Sequence, residues 1–338
     1  MTNKKINVCL IGYGYWGKNL LRVLIENHIT GKIFVYDKEI NRCLAAIQVY
    51  SVVIPLNSLD EIINNAEIDA VIIATPTSTH NLLAKQLLRK EKHVLVEKPL
   101  TKDLAEARAL IKLSLAVSKI LMVDHIFLYN PIIRQMKLYV NESFVGKINY
   151  IDATRINLGI YQNDTNVLWD LACHDISIIN YLLEEKPKQV RAIGRINPLH
   201  GTEDLSYMFL YYPSGVLVQI NSSWASPVKI RKMIIGAEKK MIIYDDIEPT
   251  NKLVIYDYEQ NLSIDAKKTK LTDYRLGSIT IPKYEIQEPL KNVIDEFYDC
   301  ILTGKQPLAN GNNALEIVNI LEKAELSLRQ NGALIELN

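Results

Sequence analysis

The sequence predicts an α/β protein in two parts, an N-terminal doubly wound parallel sheet and a C-terminal α+β domain with a large mixed or antiparallel sheet. Up to residue 123, short apolar runs alternate with segments of helical spacing. Some of these runs, such as residues 71–73, are apolar throughout, which indicates burial on both faces of a sheet. Later runs are rich in Val, Ile and Tyr and are joined by tight turns. We therefore predict domains at residues 1–123 and 124–338.

The elements of the first part follow one another in strand–helix order. The predicted strands are Ile6–Ile11, Ile33–Tyr36, Val52–Ile54, Ala70–Ala74, His93–Val96 and Ile120–Val123. The predicted helices are Trp16–Asn27, Glu39–Ile47, Ser58–Asn64, Thr79–Lys90 and Asp103–Val117.

In the second part the rhythm changes to a run of strands with a few helices. The helices are predicted at Pro131–Val140, Leu171–Leu183, Glu288–Leu302 and Asn313–Arg329. The strands are predicted at Lys147–Asn157, Gln189–Ile196, Leu205–Tyr212, Val216–Trp224, Ile230–Ile235, Lys240–Tyr244 and Lys252–Asp257. Residues 258–284 are polar and without a pattern, so we predict a loop there.

Composition excludes several classes of protein. The 39 basic and 38 acidic residues leave a net charge of +1, which gives no general attraction to nucleic acid or to a membrane surface. The four cysteines are far apart in the sequence, and His and Cys form no recognisable ligand set, so we expect neither a disulfide framework nor a metal site. No leader peptide or membrane-spanning stretch is recognisable, and we expect a cytoplasmic protein.

A glycine-rich turn follows the first predicted strand and opens a helix, as a dinucleotide-binding fingerprint requires. Asp37 ends the second strand, where a carboxylate can accept hydrogen bonds from ribose hydroxyls and repel a 2′-phosphate. NAD is therefore the expected cofactor, although the neighbouring Lys38 could pair with a phosphate and admit NADP. The alternative is a structural turn that binds nothing. The residues of the turn are Gly12, Tyr13, Gly14, Tyr15, Trp16 and Gly17.

Two more polar segments end the fourth and fifth predicted strands, at the edge where doubly wound sheets bind ligands. Lys98 would face the reacting end of the cofactor, although most lysines at such a position are simply exposed. The segments supply the expected cofactor contacts Thr75, Pro76, Thr77, His80, Glu97 and Lys98.

Together with Asp170 and His174, these motifs resemble those of the glucose-fructose oxidoreductase and inositol dehydrogenase family, Gfo/Idh/MocA. The resemblance spans most of the chain. It implies a Rossmann domain and an NAD(P)-dependent oxidoreductase that moves a hydride between nicotinamide and a sugar-like carbon. It also implies a Lys98–Pro99 bond that is often cis and a catalytic group of Lys98, Asp170 and His174 that contacts the substrate.

Physical chemistry gives these residues plausible tasks. Asp170 and His174 are four residues apart, so on a helix one can orient the other, and a histidine can take a hydroxyl proton near neutral pH. Lys98 would stabilise the alkoxide. The alternative is that Asp170 caps the helix and His174 is a buried structural residue. We assign a structural or capping role to Asp175 and leave His125 out of the catalytic group.

Two observations bear on the substrate: a polar segment of the second domain and the resemblance to the family. Arg155, Asn157, Tyr161 and Gln162 could hydrogen-bond a polyol or phosphate, or could form the polar face of a strand. Residues 166–175 resemble family members that act on nucleotide-linked sugars in surface-polysaccharide pathways, which suggests chemistry at C3 of such a hexose. An inositol or free or phosphorylated sugar dehydrogenase, and a non-catalytic NAD-binding sensor, stay open. Apolar strands in the second domain suggest a homo-oligomer, either a dimer or a tetramer.

Overall fold

A computed structural model describes residues 4–141, 144–159, 161, 165–261 and 273–337 of the chain. The chain forms two compact units, Met1–Asn130 with Gln287–Glu322, and Pro131–Ile286 with Lys323–Asn338. The sequence predicts one division, at residue 123. In the structure the chain returns to the first unit, because residues 287–322 pack there. Among the described residues, no helix combines the length and the apolar character needed to cross a membrane.

The first unit contains a parallel six-stranded sheet, which confirms the predicted doubly wound domain. Its strand order is β3-β2-β1-β4-β5-β6, the arrangement typical of Rossmann domains. The strands are β1 (Ile6–Ile11), β2 (Thr30–Tyr36), β3 (Val53–Pro55), β4 (Ala70–Ile73), β5 (His93–Val96) and β6 (Leu121–Val123). The helices are α1 (Tyr15–Glu26), α2 (Ile40–Val49), α3 (Leu59–Asn64), α4 (His80–Arg89), α5 (Leu104–Ala116) and, after the second unit, α8 (Pro289–Thr303).

The apolar runs form this sheet because helices cover both of its faces. All residues of β4 are buried, as expected for a central parallel strand. Short polar side chains cap two of these helices: Ser58 accepts the N–H of Glu61 at the start of α3, and Asp103 accepts that of Glu106 at the start of α5. The carboxyl ends of the central strands lie in register, since Ile11 pairs with Ile73 in β4. Residues that follow these strands are therefore held at one edge.

The second unit is built on a nine-stranded mixed sheet, in the order β14-β13-β12-β11-β7-β10-β9-β8-β15. Neighbouring strands are antiparallel except for β7 and β10, which are parallel. The strands are β7 (Ile148–Leu158), β8 (Gln189–Ile196), β9 (Glu203–Tyr211), β10 (Leu217–Ser223), β11 (Ala225–Ala237), β12 (Lys240–Asp245), β13 (Leu253–Asn261), β14 (Asp273–Thr280) and β15 (Ile335–Glu336). The second unit contains the helices α6 (Pro131–Asn141) and α7 (Cys173–Leu183). Helix α9 (Gly311–Arg329) begins in the first unit and ends in the second.

The predicted loop over residues 258–284 is wrong in part. Strand β13 continues to Asn261, and β14 pairs with it antiparallel from Asp273 to Thr280. β14 is an edge strand, and its backbone hydrogen bonds with β13 determine its structure. Such a strand does not need alternating apolar and polar side chains. Strand β11 is also longer than predicted, because its pairing with β7 shifts register between Ala225 and Ile230.

Candidate functional site

The glycine-rich turn of the first unit is built so that side chains at two of its positions would collide with backbone. Gly12 has φ of +98°, and a Cβ there would lie 2.5 Å from the carbonyl oxygen of Ala74. A Cβ on Gly17 would lie 2.1 Å from the carbonyl oxygen of Gly12. These contacts allow β1, the end of β4 and α1 to approach closely, as the fingerprint predicts.

The start of α1 has the open character that a phosphate group needs. Its N-cap residue, Gly14, supplies no side-chain hydrogen bond, and a Cβ there would meet no atom within 4 Å. Tyr15 is 81% exposed, while Trp16 is half-buried. The first N–H groups of a helix bind anions readily, so this end of α1 fits the pyrophosphate of a dinucleotide.

Asp37 lies at the carboxyl end of β2 with its carboxylate fixed in place. It is 7% exposed and accepts the N–H of Tyr13 at 2.8 Å and that of Glu39 at 2.9 Å. The guanidinium of Arg42 lies 3.6 Å from Asp37 Oδ2, a neighbour that sequence analysis did not identify. Lys38 is exposed. A carboxylate with both oxygens oriented by backbone presents its remaining lone pairs in a fixed direction, which suits ribose recognition.

The segment after β4 carries four of the predicted cofactor contacts. His80 is 1% exposed, and its two ring nitrogens lie 2.9 Å from the carbonyl oxygens of Pro99 and Thr75. It therefore joins the loops after β4 and β5, and its contact with a cofactor stays a prediction. Thr75 is half-buried, and its Oγ1 lies 2.6 Å from Thr79 Oγ1. Pro76 is exposed and Thr77 half-buried, so both remain candidate cofactor contacts.

The segment after β5 carries Glu97 and a half-buried Lys98, whose peptide bond to Pro99 is cis. Glu97 Oε2 accepts the backbone N–H of Lys98 at 3.0 Å. Burial, followed by the charge of Asp124, raises the pKa of Glu97 well above its usual range. Burial, with a smaller effect from Lys98, lowers the pKa of His125 to about 3. His125 is therefore neutral at physiological pH, which supports leaving it out of the catalytic group.

In the second unit, Asp170 lies on a π-helical turn, Leu168–Ala172, which leads directly into α7. The helical segment thus begins three residues before the predicted start at Leu171. Its first turn is a π-helical turn, which often occurs at functional positions. Asn166 supplies the capping oxygen, since its Oδ1 accepts the N–H of Leu168 at 3.2 Å. Asp170 therefore does not serve as this cap. Its Oδ2 instead accepts the indole N–H of Trp224 at 2.9 Å, while His174 is half-buried on the first turn of α7.

Arg155, a predicted substrate contact, lies in a buried ion pair. It is 3% exposed, and its Nε and Nη2 each donate to the carboxylate of Asp175 over 2.8 Å. Such a bidentate buried pair holds the guanidinium against Asp175, and the substrate contact of Arg155 stays a prediction. Asp175 accordingly has the structural role that the sequence suggested.

The other predicted substrate contacts differ in their surroundings. The hydroxyl of Tyr161 donates to Asp204 Oδ2 at 3.2 Å and accepts from Asn197 at 3.0 Å, while its ring stacks on His200. Asn157 is half-buried, and its amide donates to the carbonyl oxygen of Leu158. Gln162 lies outside the described residues. Asn157 and Tyr161 stay predictions.

Two side chains that hydrogen-bond to predicted site residues were not predicted from the sequence, Trp224 and Asp124. Trp224, which positions Asp170, also packs edge-on against Tyr161 with ring centroids 5.4 Å apart. Asp124 accepts the indole N–H of Trp16 at 3.1 Å. Their sequence signal is weak: a tryptophan ends a predicted strand, and an aspartate follows the last parallel one.

Comparison with known proteins agrees with this architecture. Two family models match, the oxidoreductase family with an NAD-binding Rossmann fold over residues 6–125 and the GFO/IDH/MocA C-terminal domain over residues 133–243. D-apiose dehydrogenase of Paraburkholderia graminis is 23% identical over 99% of this chain and 91% of its own length. UDP-N-acetylglucosamine 3-dehydrogenase of Acidithiobacillus ferrooxidans is 28% identical over 64% of this chain and 62% of its own length.

A solved structure shows the same fold. The structure of GenD2 from gentamicin A biosynthesis in complex with NAD superposes with a TM-score of 0.84 at 20% identity, over 99% of this chain and 97% of that one. The two family models together span most of the sequence and both of its units. The chain belongs to the Gfo/Idh/MocA family of NAD-binding oxidoreductases.

Proposed function

We propose that this protein transfers a hydride between NAD and a CH–OH carbon of a sugar, with C3 of a nucleotide-linked hexose as the preferred position. The observation that carries the proposal is the carboxylate of Asp170, held by Trp224 at 2.9 Å and four residues before the half-buried His174. A fixed carboxylate four residues before a histidine on a helix can orient that histidine as a general base. The nucleotide-sugar assignment is supported by the likeness to UDP-N-acetylglucosamine 3-dehydrogenase.

The residues of the first unit suit the coenzyme. Gly12, Gly14 and Gly17 would let the pyrophosphate approach the start of α1, and Asp37 would accept the ribose hydroxyls. The bound coenzyme supplies the hydride acceptor at its nicotinamide ring. NAD is preferred over NADP because the buried Asp37 carboxylate would repel a 2′-phosphate, although Lys38 and Arg42 lie close by in the chain.

The proposed chemistry assigns one task to each catalytic side chain. In the oxidative direction His174 accepts the proton of the substrate hydroxyl, and Asp170 keeps its imidazole oriented. Lys98, a cation on a half-buried stem, stabilises the developing alkoxide. In the reductive direction the same proton returns from His174 to the sugar oxygen. Arg155, held by Asp175, would support this region.

An inositol or a free or phosphorylated sugar is the alternative substrate. Its support is the likeness to D-apiose dehydrogenase, a relative that matches almost the whole chain. Because both candidates need the same proton and hydride transfers, only the binding of the nucleotide distinguishes them. A protein that acts on a nucleotide-linked sugar would turn over poorly any substrate that lacks the nucleotide diphosphate. A protein that acts on free polyols would turn them over without it.

A substrate panel tests the proposal. Purified protein is given NAD or NADP with UDP-linked hexoses, inositols, free pentoses and hexoses and hexose phosphates, and absorbance of reduced nicotinamide is recorded. We expect turnover with NAD and a UDP-hexose. Activity that stays within a few-fold of the parent in Lys98→Met would contradict the role assigned to Lys98. Lys85→Met changes an exposed lysine on α4 and serves as the matched control. Turnover confined to free polyols would replace the nucleotide-sugar assignment, and no turnover at all would favour a sensor.

We also propose that the protein acts in the cytoplasm, in surface-polysaccharide synthesis, and as a homo-oligomer. One face of the second sheet carries exposed large apolar side chains. They lie opposite each other on neighbouring strands, because Leu217 pairs with Tyr150 and Ile193 pairs with Tyr207. A second copy of the chain is the partner we assign to this face, since two identical apolar faces can cover each other. The residues are Tyr150, Ile193, Tyr207 and Leu217.

A further inference from the structure

The π-helical turn that carries Asp170 lies between two fixed segments. π-Helical winding is rare, and each of its turns holds more residues than an α-helical turn, so contacts outside the turn must stabilise it. On its C-terminal side, α7 is fixed in the core by buried side chains, among them Ile176 and Ile179. On its N-terminal side, the amide of Asn166 donates to Glu203 Oε2 at 2.9 Å. The winding of the turn between these segments therefore determines where the carboxylate of Asp170 lies.

Two consecutive residues of the turn are each held to a distant segment by an indole N–H. The indole of Trp169 donates to Glu325 Oε2, on α9, at 2.8 Å. The next residue, Asp170, accepts the indole N–H of Trp224 at 2.9 Å. Trp169 and Trp224 are 0% and 1% exposed, and an indole N–H can only donate, so each needs a fixed acceptor. Glu325 thus fixes one residue of the turn, and Trp224 fixes the next.

We propose that Glu325 is a positioning residue: through the indole of Trp169 it keeps the turn π-helical and thereby holds Asp170 in place. If the turn rewound as an α-helix, the residues before α7 would rotate about its axis by up to about 100°, the angle that one residue adds. Asp170 would then move away from the indole of Trp224. The inference rests on the proposed function only for the catalytic task of Asp170, since the placement of its carboxylate can be tested without substrate.

The two carboxylate oxygens of Glu325 have separate partners. Oε2 accepts the indole N–H of Trp169, while Oε1 lies 2.6 Å from the guanidinium of Arg329, one turn further along α9. The side chain of Arg329 is 71% exposed, and an ion pair in contact with water to this extent contributes little to stability. The hydrogen bond to the buried indole is therefore the contact that acts on the turn. The two contacts can also be removed separately.

The indole N–H signals in a ¹H–¹⁵N spectrum test the placement of Asp170 without substrate. The chain has three tryptophans, and the variants Trp16→Phe, Trp169→Phe and Trp224→Phe assign their signals. We expect Glu325→Leu to shift two of them. The signal of Trp169 shifts because its acceptor is lost, and that of Trp224 shifts because the carboxylate of Asp170 moves away. The signal of Trp16, which lies in the first unit, should stay where it is.

Three further variants separate this role from a general loss of stability. Glu325→Gln retains a side-chain oxygen that can accept the indole N–H, so the Trp224 signal should stay unchanged. Arg329→Gln breaks only the exposed ion pair and should also leave the Trp224 signal unchanged. Trp169→Phe removes the same hydrogen bond from the donor side and should shift the Trp224 signal, so the test does not depend on the folding of Glu325→Leu alone.

A Trp224 signal that keeps its position in folded Glu325→Leu or Trp169→Phe protein would overturn the proposal, because the turn would then hold Asp170 without this contact. The proposal also fails if Glu325→Gln shifts the Trp224 signal as far as Glu325→Leu does. Either result is independent of turnover.

Turnover of the best substrate from the panel gives a second readout. Glu325→Leu should lower kcat by a factor of about 10–10² and leave the KM for NAD unchanged, since a displaced Asp170 no longer orients the proton acceptor. Glu325→Gln should retain the parental kcat. A shifted Trp224 signal with a parental kcat would support the positioning of Asp170 by Glu325 and would contradict the catalytic task that the proposed function gives to Asp170.

Discussion

Replacing His174 with alanine is expected to lower kcat by a factor of about 10²–10⁴, because the variant loses the group that accepts the substrate proton. Coenzyme affinity should change little, since the proposed dinucleotide contacts lie in the first unit. Steady-state kinetics on the best substrate, together with a fluorescence titration of NAD, would separate the two effects. Added imidazole should restore part of the lost rate, which a merely structural histidine would not allow.

Two companion variants make this result specific. Asp170→Asn should also lower kcat while keeping the hydrogen bond from Trp224 possible, because the amide oxygen still accepts. His28→Ala changes an exposed histidine of the first unit and should behave as the parent does. If His174→Ala retained kcat within a few-fold of the parent chain, His174 would not be the general base.

Replacing Arg155 with methionine is expected to cost about 3–5 kcal/mol of unfolding free energy, because Asp175 would be left as an uncompensated buried charge. Both partners of this ion pair are almost completely buried, so water cannot replace the lost guanidinium. Equilibrium denaturation in urea, followed by circular dichroism, measures the change.

The double variant Arg155→Met with Asp175→Leu should recover much of this loss, since it removes both charges and refills the space with apolar groups. An exposed ion pair provides the control: Lys32→Met breaks a contact of 2.9 Å with Glu67 and should cost less than about 1 kcal/mol. A loss below about 1 kcal/mol for Arg155→Met would contradict the role assigned to the buried pair.

Much of the fold could be predicted because its signals are local. Each parallel strand is a short apolar run followed by a helix, and Ser58 and Asp103 mark helix starts directly. The pairing of β14 could not be predicted, since an edge strand is stabilised by backbone hydrogen bonds that any sequence can make. The return of residues 287–322 to the first unit depends on packing between distant segments.

In the candidate site, too, the features that depend on local sequence could be predicted and those that depend on distant contacts could not. The glycine turn and Asp37 were predictable because their chemistry depends on backbone geometry within one strand–helix unit. Arg155 was not, since its partner Asp175 is in a different element and only the folded chain shows that the pair is buried. Trp224 lies 54 residues from Asp170, and no local pattern indicates that its indole holds that carboxylate.

Transfer of deuterium is the most direct test of the account. The best substrate from the panel, labelled with deuterium at the carbon that is oxidised, is incubated with the protein and NAD, and the reduced coenzyme is examined by proton NMR. Direct hydride transfer predicts deuterium at C4 of the nicotinamide ring, on one face only. Reduced coenzyme that carries only protium, or label that is lost to water, would contradict direct hydride transfer from a sugar carbon.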